Sequence, residues 1–211
     1  MAHVLVVGAS NGIGLETVKA ALAAGHRVRA FARSAARIEL TDPKLERFTG
    51  DARKAVDVAA ALDGVDAVVQ ALGVPIRDLF GPVRLFSSAT NVLVPAMEKA
   101  GVTRILAVTG FGTGDSADAI GVLQRVPFRL VFGRAYDDKS AQEMRIRKSS
   151  LSWTFVRPGV LTGGAGTGSY QVLEDPSSWR NGTIPRADVA DFIVGNLQGD
   201  AYVRKAVVLI R

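Results

Sequence analysis

The chain has 211 residues, of which 48% are hydrophobic and 22% charged, with a formal net charge of +6, a pI of about 10 and no cysteine. This composition is typical of one globular domain, and it excludes disulfides, thiolate metal sites and a cysteine nucleophile. No apolar stretch approaches the roughly 20 residues of a membrane span, and no signal peptide is recognisable, so a cytoplasmic protein is expected. Because His3 and His26 are the only histidines, no metal site is predicted.

The positive charge has two possible meanings. It favours binding of an anionic ligand, or it belongs to a basic surface without a special role. The densest cluster, Arg145, Arg147 and Lys148, is too short to indicate a nucleic-acid site. We therefore expect a small-molecule partner, with neither nucleic acid nor membrane, and we favour a monomer.

The hydrophobic pattern alternates between short β-branched runs and helical periodicity. Val4–Val7 is the first predicted strand, and a helix follows it to about Ala24. Leu85–Ala100 is the clearest helix, because its apolar residues recur on one face. The alternation predicts an α/β fold with a doubly wound parallel sheet, in one domain over residues 1–211. The other predicted strands are Arg27–Ala32, Glu46–Thr49, Asp66–Ala71, Arg104–Val108, Ser152–Val156 and Ala206–Ile210, and the other helices are Lys54–Leu62, Ala135–Arg147 and Ala187–Leu197.

A glycine-rich loop joins the first strand to the first helix. Residues without Cβ let the backbone approach a diphosphate and let the helix pack on the strand, while the helix N-terminus offers free N–H groups and a partial positive charge. The same glycines would suit a simple tight turn, but their position favours dinucleotide binding. The predicted cofactor-binding residues here are Gly8, Ser10, Asn11, Gly12, Ile13 and Gly14.

The end of the second strand indicates which dinucleotide is bound. An NAD site usually has an acidic residue here for the ribose 2′-hydroxyl, whereas this chain has Arg33. Arg33, with Arg37 nearby, can pair with a 2′-phosphate, because guanidinium donors form a fork that matches it. The alternative is a solvated surface arginine. We predict a preference for NADP(H) over NAD(H).

Two further strand ends complete the predicted cofactor site. Asp51 and Ala52 follow the third strand, where adenine usually rests. The Asp51 carboxylate is expected either to accept a hydrogen bond from the exocyclic amine or to cap the following helix. Ala71, Leu72 and Gly73 end the fourth strand, where the backbone must pass close to a ribose.

Motifs along nearly the whole chain, from Val4 to about Leu197, carry a resemblance to a known family. Besides the glycine loop, they are the segments 32–34, 66–69, 109–116, 156–162 and 184–190. The chain resembles atypical short-chain dehydrogenase/reductases, closest to the flavin reductase/biliverdin-IXβ reductase-like, NAD(P)H-binding group. The resemblance implies a Rossmann-type fold and hydride transfer from NADPH to a flavin-like, bilin-like or quinone-like acceptor. The glycine spacing departs from that group and matches the Tyr-x-x-x-Lys enzymes.

The same resemblance implies the candidate catalytic residues Thr109, Lys139 and Tyr136. In Tyr-x-x-x-Lys enzymes the tyrosine lies four residues before the lysine, but here Ala135 occupies that position and Tyr136 lies three before Lys139. Tyr136 is therefore either a displaced catalytic acid or a packing or surface tyrosine. Lys139 is also expected to contact the cofactor ribose, and Thr109 has either a site role or a packing role. The implied nicotinamide carboxamide contacts are Pro158, Gly159 and Val160, for which a structural turn is the alternative.

The acceptor is expected to need a broad pocket with walls in segments 110–135 and 160–185. Phe111, the loop Phe128–Phe132 and Gly163–Tyr170 are candidate walls, although such aromatics pack in a core more often than they line a pocket. The missing Tyr-x-x-x-Lys spacing leaves two other functions open. One is an NADP(H)-sensing regulatory protein with little turnover, and the other is an isomerase or assembly factor on the same scaffold.

Overall fold

The computed structural model describes residues 1–75, 78, 81–119 and 122–211, and it gives only the helical backbone for 122–131. The strands are short, with three to seven residues each. In chain order they are β1 (His3–Val7), β2 (Arg27–Ala32), β3 (Leu45–Thr49), β4 (Ala67–Gln70), β5 (Arg104–Val108), β6 (Ser152–Pro158), β7 (Val160–Thr162), β8 (Gln171–Leu173), β9 (Thr183–Pro185) and β10 (Lys205–Ile210). The helices are α1 (Gly12–Ala23), α2 (Ala55–Ala61), α3 (Leu85–Ala100), α4 (Val122–Arg147) and α5 (Arg186–Gly195).

One eight-stranded sheet organises the molecule, in the order β3-β2-β1-β4-β5-β6-β10-β8. Its neighbouring strands pair in parallel, except that β8 is antiparallel to β10. The order of the first six strands is that of doubly wound dinucleotide-binding sheets. The predicted α/β fold and parallel sheet are therefore confirmed.

Helices cover both faces of the sheet, and the alternation of side chains along each strand explains how. On β1, Val4 and Val6 join the cluster that contains residues of α1 and α5, whereas Leu5 and Val7 join the cluster that contains residues of α2, α3 and α4. Successive strand side chains point to opposite faces, so a strand that is apolar throughout must be covered twice. Among the described residues, no helix is both long and apolar enough to cross a membrane.

The predicted loop Phe128–Phe132 is wrong, because α4 begins at Val122 rather than near Ala135. Pro127 and Gly133 disfavour a helix locally, but α4 packs along α3, and such tertiary packing can override local propensity. Residues 120 and 121 and the side chains of 122–131 lie outside the described residues. That part of the predicted pocket wall stays a prediction.

Three short strands were not predicted. β7 and β9 form a separate parallel pair, and β8 adds an antiparallel edge to the main sheet. Each has only three residues, which is too few to show a period-2 pattern. β7 begins at Val160, the last of the predicted nicotinamide contacts, and there it pairs with Thr183 of β9.

Candidate cofactor and active site

The predicted site residues gather at one edge of the sheet. Because β1, β2, β4, β5 and β6 are parallel, the segments that follow them emerge at the same edge. The chain leaves β1 toward β2 on one side and later returns to β4 on the other, so β1 and β4 flank the point where the strand order reverses. Ligands of open α/β sheets bind at such a point.

The three glycines of the first loop have different geometric roles. Gly8 has a φ of +92°, and a Cβ there would lie 2.6 Å from the Ala71 carbonyl oxygen, so the loop packs closely on the end of β4. A Cβ on Gly14 would lie 2.2 Å from the Gly8 carbonyl oxygen, which fixes the approach of α1 to β1. Gly12 has a φ of +58°, and apart from its chain neighbours and the backbone of α1 no protein atom lies within 4 Å of such a Cβ. The space beside Gly12 is therefore open to a ligand.

The start of α1 fits an anionic group. Asn11 is its N-cap, and the side-chain oxygen accepts a hydrogen bond of 2.7 Å from the Gly12 N–H. No acidic residue stands in the first turn of α1 to oppose an anion. Ile13 is 9% exposed and packs in the core, so its backbone is what can serve a ligand. The open cradle at Gly12 and this helix end fit the diphosphate of a dinucleotide.

The turn after β2 lies against the glycine loop, because the Ser34 hydroxyl donates a 3.0 Å hydrogen bond to the Ser10 hydroxyl oxygen. Arg33 and Arg37 are exposed in this turn. They stand where the 2′-phosphate of NADP(H) is expected relative to the glycine loop. Their role stays a prediction.

One of the two alternatives for Asp51 was that it caps the following helix, and this alternative is wrong. Its carboxylate accepts hydrogen bonds from Arg53 Nε at 3.0 Å and Nη2 at 2.6 Å, and this pairing lowers its pKa to about 2. The following helix α2 begins at Ala55, without a side-chain cap. Asp51 also feels the charge of Arg33, so the ends of β2 and β3 carry one cluster of charges. Ala52 lies partly buried beside it.

The end of β4 presents backbone to the site. The Ala71 N–H donates a 2.8 Å hydrogen bond to the Val7 carbonyl, and Ala71 is 9% exposed. Leu72 is half-buried, and Gly73 is exposed with open space around it. This segment therefore runs beside the glycine loop. Its predicted contact with a ribose stays a prediction.

The structure brings the three candidate catalytic residues together where β5 ends against α4. Lys139 Nζ donates to the Thr109 carbonyl oxygen. A Cβ on Gly110 would lie 2.9 Å from the Tyr136 hydroxyl oxygen, so this hydroxyl stands beside the backbone that follows Thr109. The three-residue spacing thus still places Tyr136 and Lys139 at the same strand end, as neighbours on one helix face do.

Burial is the main cause of the pKa shifts of Lys139 and Tyr136. Burial lowers the pKa of Lys139 to about 8, although the Glu143 carboxylate acts to raise it. Burial raises the pKa of Tyr136, so its phenol is protonated at neutral pH. The Lys139 ammonium also lies 5.0 Å from the centre of the Phe86 ring, which contributes a cation–π contact.

A buried ion pair, which the sequence interpretation missed, supports this strand end. Glu143 accepts from the Thr109 hydroxyl at 2.7 Å, and Arg157 binds Glu143 through two nitrogens at 3.0 and 2.6 Å. Arg157 Nη2 also contacts Asp115 at 2.5 Å, and its guanidinium lies 5.0 Å from the Trp179 ring centre. Glu143 lies four residues after Lys139, and residues four apart on a helix lie on the same face. This spacing is the sequence signal that could have identified Glu143 as part of the site.

The predicted nicotinamide contacts are tied into the protein through their backbone. The Pro158 carbonyl accepts from Phe111 N–H at 3.0 Å. The Gly159 N–H donates to the Leu209 carbonyl at 3.0 Å, and the Val160 N–H donates to the Gly182 carbonyl at 2.8 Å. The N–H groups of Gly159 and Val160 are thus already bonded, and Pro158 has none. Any contact with a carboxamide would therefore come from a carbonyl oxygen or from the exposed Val160 side chain. The predicted role remains untested.

The two other candidate pocket walls, Phe111 and the segment Gly163–Tyr170, differ in exposure. Phe111 is 5% exposed and packs with Trp179, Val208 and Ile210, so it belongs to a small core rather than to an open wall. Residues 163–169 form an exposed loop, which the buried Asp188 carboxylate holds through the N–H groups of Thr167 at 2.6 Å and Gly168 at 2.9 Å. This loop remains available to an acceptor.

Comparison with known proteins shows the family to which the chain belongs. A family model described as NAD(P)H-binding matches residues 8–200. An uncharacterized chloroplastic protein of Arabidopsis thaliana is 30% identical over 213 residues, covering 98% of this chain and 76% of that protein. Protein TIC 62 of the same plant is 32% identical over 179 residues, but the match covers 75% of this chain and only 27% of TIC 62.

Solved structures agree. ChuY, an anaerobilin reductase from Escherichia coli O157:H7, superposes with a TM-score of 0.82 at 29% identity, over 99% of this chain and 96% of that one. A short-chain dehydrogenase/reductase of Veillonella parvula in complex with NADP has a TM-score of 0.83 at 13% identity, over 100% and 94% of the two chains, which shows a shared fold. With its glycine loop and sheet order, the chain belongs to the family described as NAD(P)H-binding.

Proposed function

We propose that the protein is an NADPH-dependent reductase of a flat, conjugated acceptor of the flavin, bilin or quinone class. The observation that carries this proposal is the convergence of Lys139, Tyr136 and Thr109 at the sheet edge that also bears the open glycine loop. The 29% identity to ChuY over nearly the whole chain supports a reductase. The acceptor class rests on the resemblance and on the exposed loop 163–169.

Each proposed binding role follows from a position in the site. The α1 N-terminus holds the diphosphate, Arg33 and Arg37 hold the 2′-phosphate, and Lys139 donates to the ribose that carries nicotinamide. When bound, the cofactor supplies the hydride. The protein then has to orient the acceptor and limit the water around it, which is mainly a matter of position.

We expect Tyr136→Phe to lower kcat by less than about tenfold, because solvent protonates the reduced acceptor in this proposal. A positioned general acid typically contributes roughly 10²–10⁴-fold, so the two mechanisms are well separated. The burial that raises the pKa of Tyr136 also works against its use as a base. The measurement is steady-state NADPH oxidation, and Tyr202→Phe, which alters a tyrosine just before β10, is the matched control.

A hundredfold or larger loss of kcat in Tyr136→Phe, with KM unchanged and Tyr202→Phe normal, would return this protein to tyrosine-dependent chemistry. The three-residue spacing to Lys139 would then be compatible with proton donation. A loss in both variants would indicate a general effect of removing a hydroxyl.

The function itself is tested by anaerobic NADPH oxidation with FMN, biliverdin and a soluble quinone, compared with NADH. Turnover with one of these acceptors supports the proposal. A second candidate, an NADP(H) sensor, is favoured by the way site groups bind one another, with Thr109 held by Glu143 and Lys139 held by the Thr109 carbonyl. Tight NADPH binding without oxidation by any acceptor would favour the sensor, and conversion of a substrate without net NADPH loss would favour an isomerase.

A further inference from the structure

Glu143 is a buried carboxylate in contact with the proposed site. Its side chain is 3% exposed, and Arg157, its ion-pair partner, is fully buried. Oε1 accepts from the Thr109 hydroxyl at 2.7 Å and from Arg157 Nε at 3.0 Å, while Oε2 accepts from Arg157 Nη2 at 2.6 Å. A buried carboxylate is costly unless its oxygens are paired, and here both are paired.

Lys139 lies one helical turn before Glu143 on α4. From α3 it faces the Phe86 ring, and from β5 it faces the Thr109 carbonyl, neither of which carries a formal charge. On α4 itself, Tyr136 presents a protonated phenol, and the Asp138 carboxylate is turned to the N-terminus of α3, where it accepts from Phe86 N–H at 2.8 Å. Arg157 of β6 pairs with Glu143 at 2.6 Å and with Asp115 at 2.5 Å. Arg147 of α4 lies 4.0 Å from Glu143 and 3.4 Å from Asp115. Burial lowers the pKa of Lys139, and the negative charge of Glu143 acts to raise it.

We propose that Glu143 is a positioning residue of this site, which keeps the Lys139 ammonium charged for an anionic dinucleotide and accepts the hydrogen bond that the Thr109 hydroxyl donates. This inference rests on the proposed function and deepens it. Arg157 in turn holds Glu143 in place through its two hydrogen bonds.

The contact with Glu143 also fixes the polarity of Thr109. A hydroxyl has one proton, and in Thr109 that proton is donated to the carboxylate. The oxygen therefore meets a ligand as an acceptor, which suits an amide or hydroxyl N–H or O–H rather than a carbonyl oxygen. Thr109 is thus not the group that polarises a substrate carbonyl.

The charge on Lys139 can be measured without any ligand. In protein labelled with ¹³C-lysine, the Lys139 signal, assigned by its loss in Lys139→Met, should titrate near pH 8. In Glu143→Gln the midpoint should fall by about one pH unit or more, the usual effect of removing a nearby opposite charge. Glu98→Gln is the matched control, because Glu98 lies 12 residues after Phe86 on α3, roughly 18 Å along the helix axis.

Glu143→Asp is the second variant, because it keeps a counter-ion for Arg157 should the glutamine variant fail to fold. A carboxylate that is one methylene shorter should lower the Lys139 midpoint by a smaller amount. An unchanged midpoint in every folded Glu143 variant would overturn the proposal. So would an equal fall in Glu98→Gln.

NADPH binding then separates this inference from the proposed function. Below pH 7 we expect Glu143→Gln to bind NADPH within about threefold of the unmodified protein, and near pH 8 at least about fivefold more weakly, because an uncharged lysine attracts the anion less. A weakening that is equal at every pH would contradict the role of the charge. If the unmodified protein bound no NADPH at any pH, the proposed function would fail, while the ligand-free midpoints would still decide whether Glu143 sustains the Lys139 charge.

Discussion

Gly12→Val is expected to abolish NADPH binding while leaving the chain folded. Apart from its chain neighbours and the backbone of α1, no protein atom lies within 4 Å of a Cβ added at Gly12, so the new side chain extends into the space proposed for the diphosphate. The cost to the fold comes from the φ of +58°, a conformation that costs a non-glycine residue about 1–3 kcal/mol. In a chain of this size that corresponds to a fall in Tm of roughly 2–12 °C. The measurements are NADPH titration and thermal unfolding.

Gly64→Val is the matched control for this prediction. Gly64 has a φ of +66° and equally open surroundings, but it follows α2 at the opposite edge of the sheet. It should show a similar fall in Tm and normal NADPH affinity. By contrast, Gly14→Val should not fold, because its Cβ would lie 2.2 Å from the Gly8 carbonyl oxygen. Normal NADPH binding by Gly12→Val would show that the diphosphate lies elsewhere.

The sequence was informative where a local pattern has one physical solution. Apolar residues at every position of β1 require helices on both faces, and a glycine loop between a strand and a helix needs both close packing and open space. The structure shows each of these features, with Gly8 and Gly14 packed and Gly12 open. The fold and the position of the loop could therefore be predicted from the residues alone.

The contacts at the end of β5 were harder to predict, because they join distant parts of the chain. Glu143 meets Thr109 across 34 residues, and no local pattern marks a carboxylate that will be buried there. Asp51 was correctly seen as a polar group after β3, but its partner, Arg53, lies only two residues away and was overlooked. The start of α4 was placed near Ala135 instead of at Val122. Pro127 and Gly133 disfavour a helix locally, whereas packing against α3 can extend it.

Arg33→Ala is expected to weaken NADPH binding by about ten- to a hundredfold and to leave NADH binding within about threefold. A charge-assisted hydrogen bond contributes roughly 1.5–3 kcal/mol, and NADH has no 2′-phosphate with which to form it. Arg33 is exposed and follows β2 beside the turn that contacts the glycine loop, so its loss removes no core packing. Titration of both cofactors gives the ratio of their dissociation constants, and added salt should reduce that ratio in the unmodified protein.

Arg27→Ala is the matched control, because Arg27 begins the same strand at its other end, with a side chain 62% exposed and 3.6 Å from Glu46. It removes the same charge from the same strand far from the predicted ribose, and it should leave the affinity ratio unchanged. If Arg27→Ala and Arg33→Ala lowered NADPH affinity equally, the effect would belong to the overall positive charge rather than to a specific contact. If neither variant lowered NADPH affinity, a preference for NADPH would have to come from Arg37 or be absent. Measuring Arg37→Ala in the same titration decides between these two possibilities.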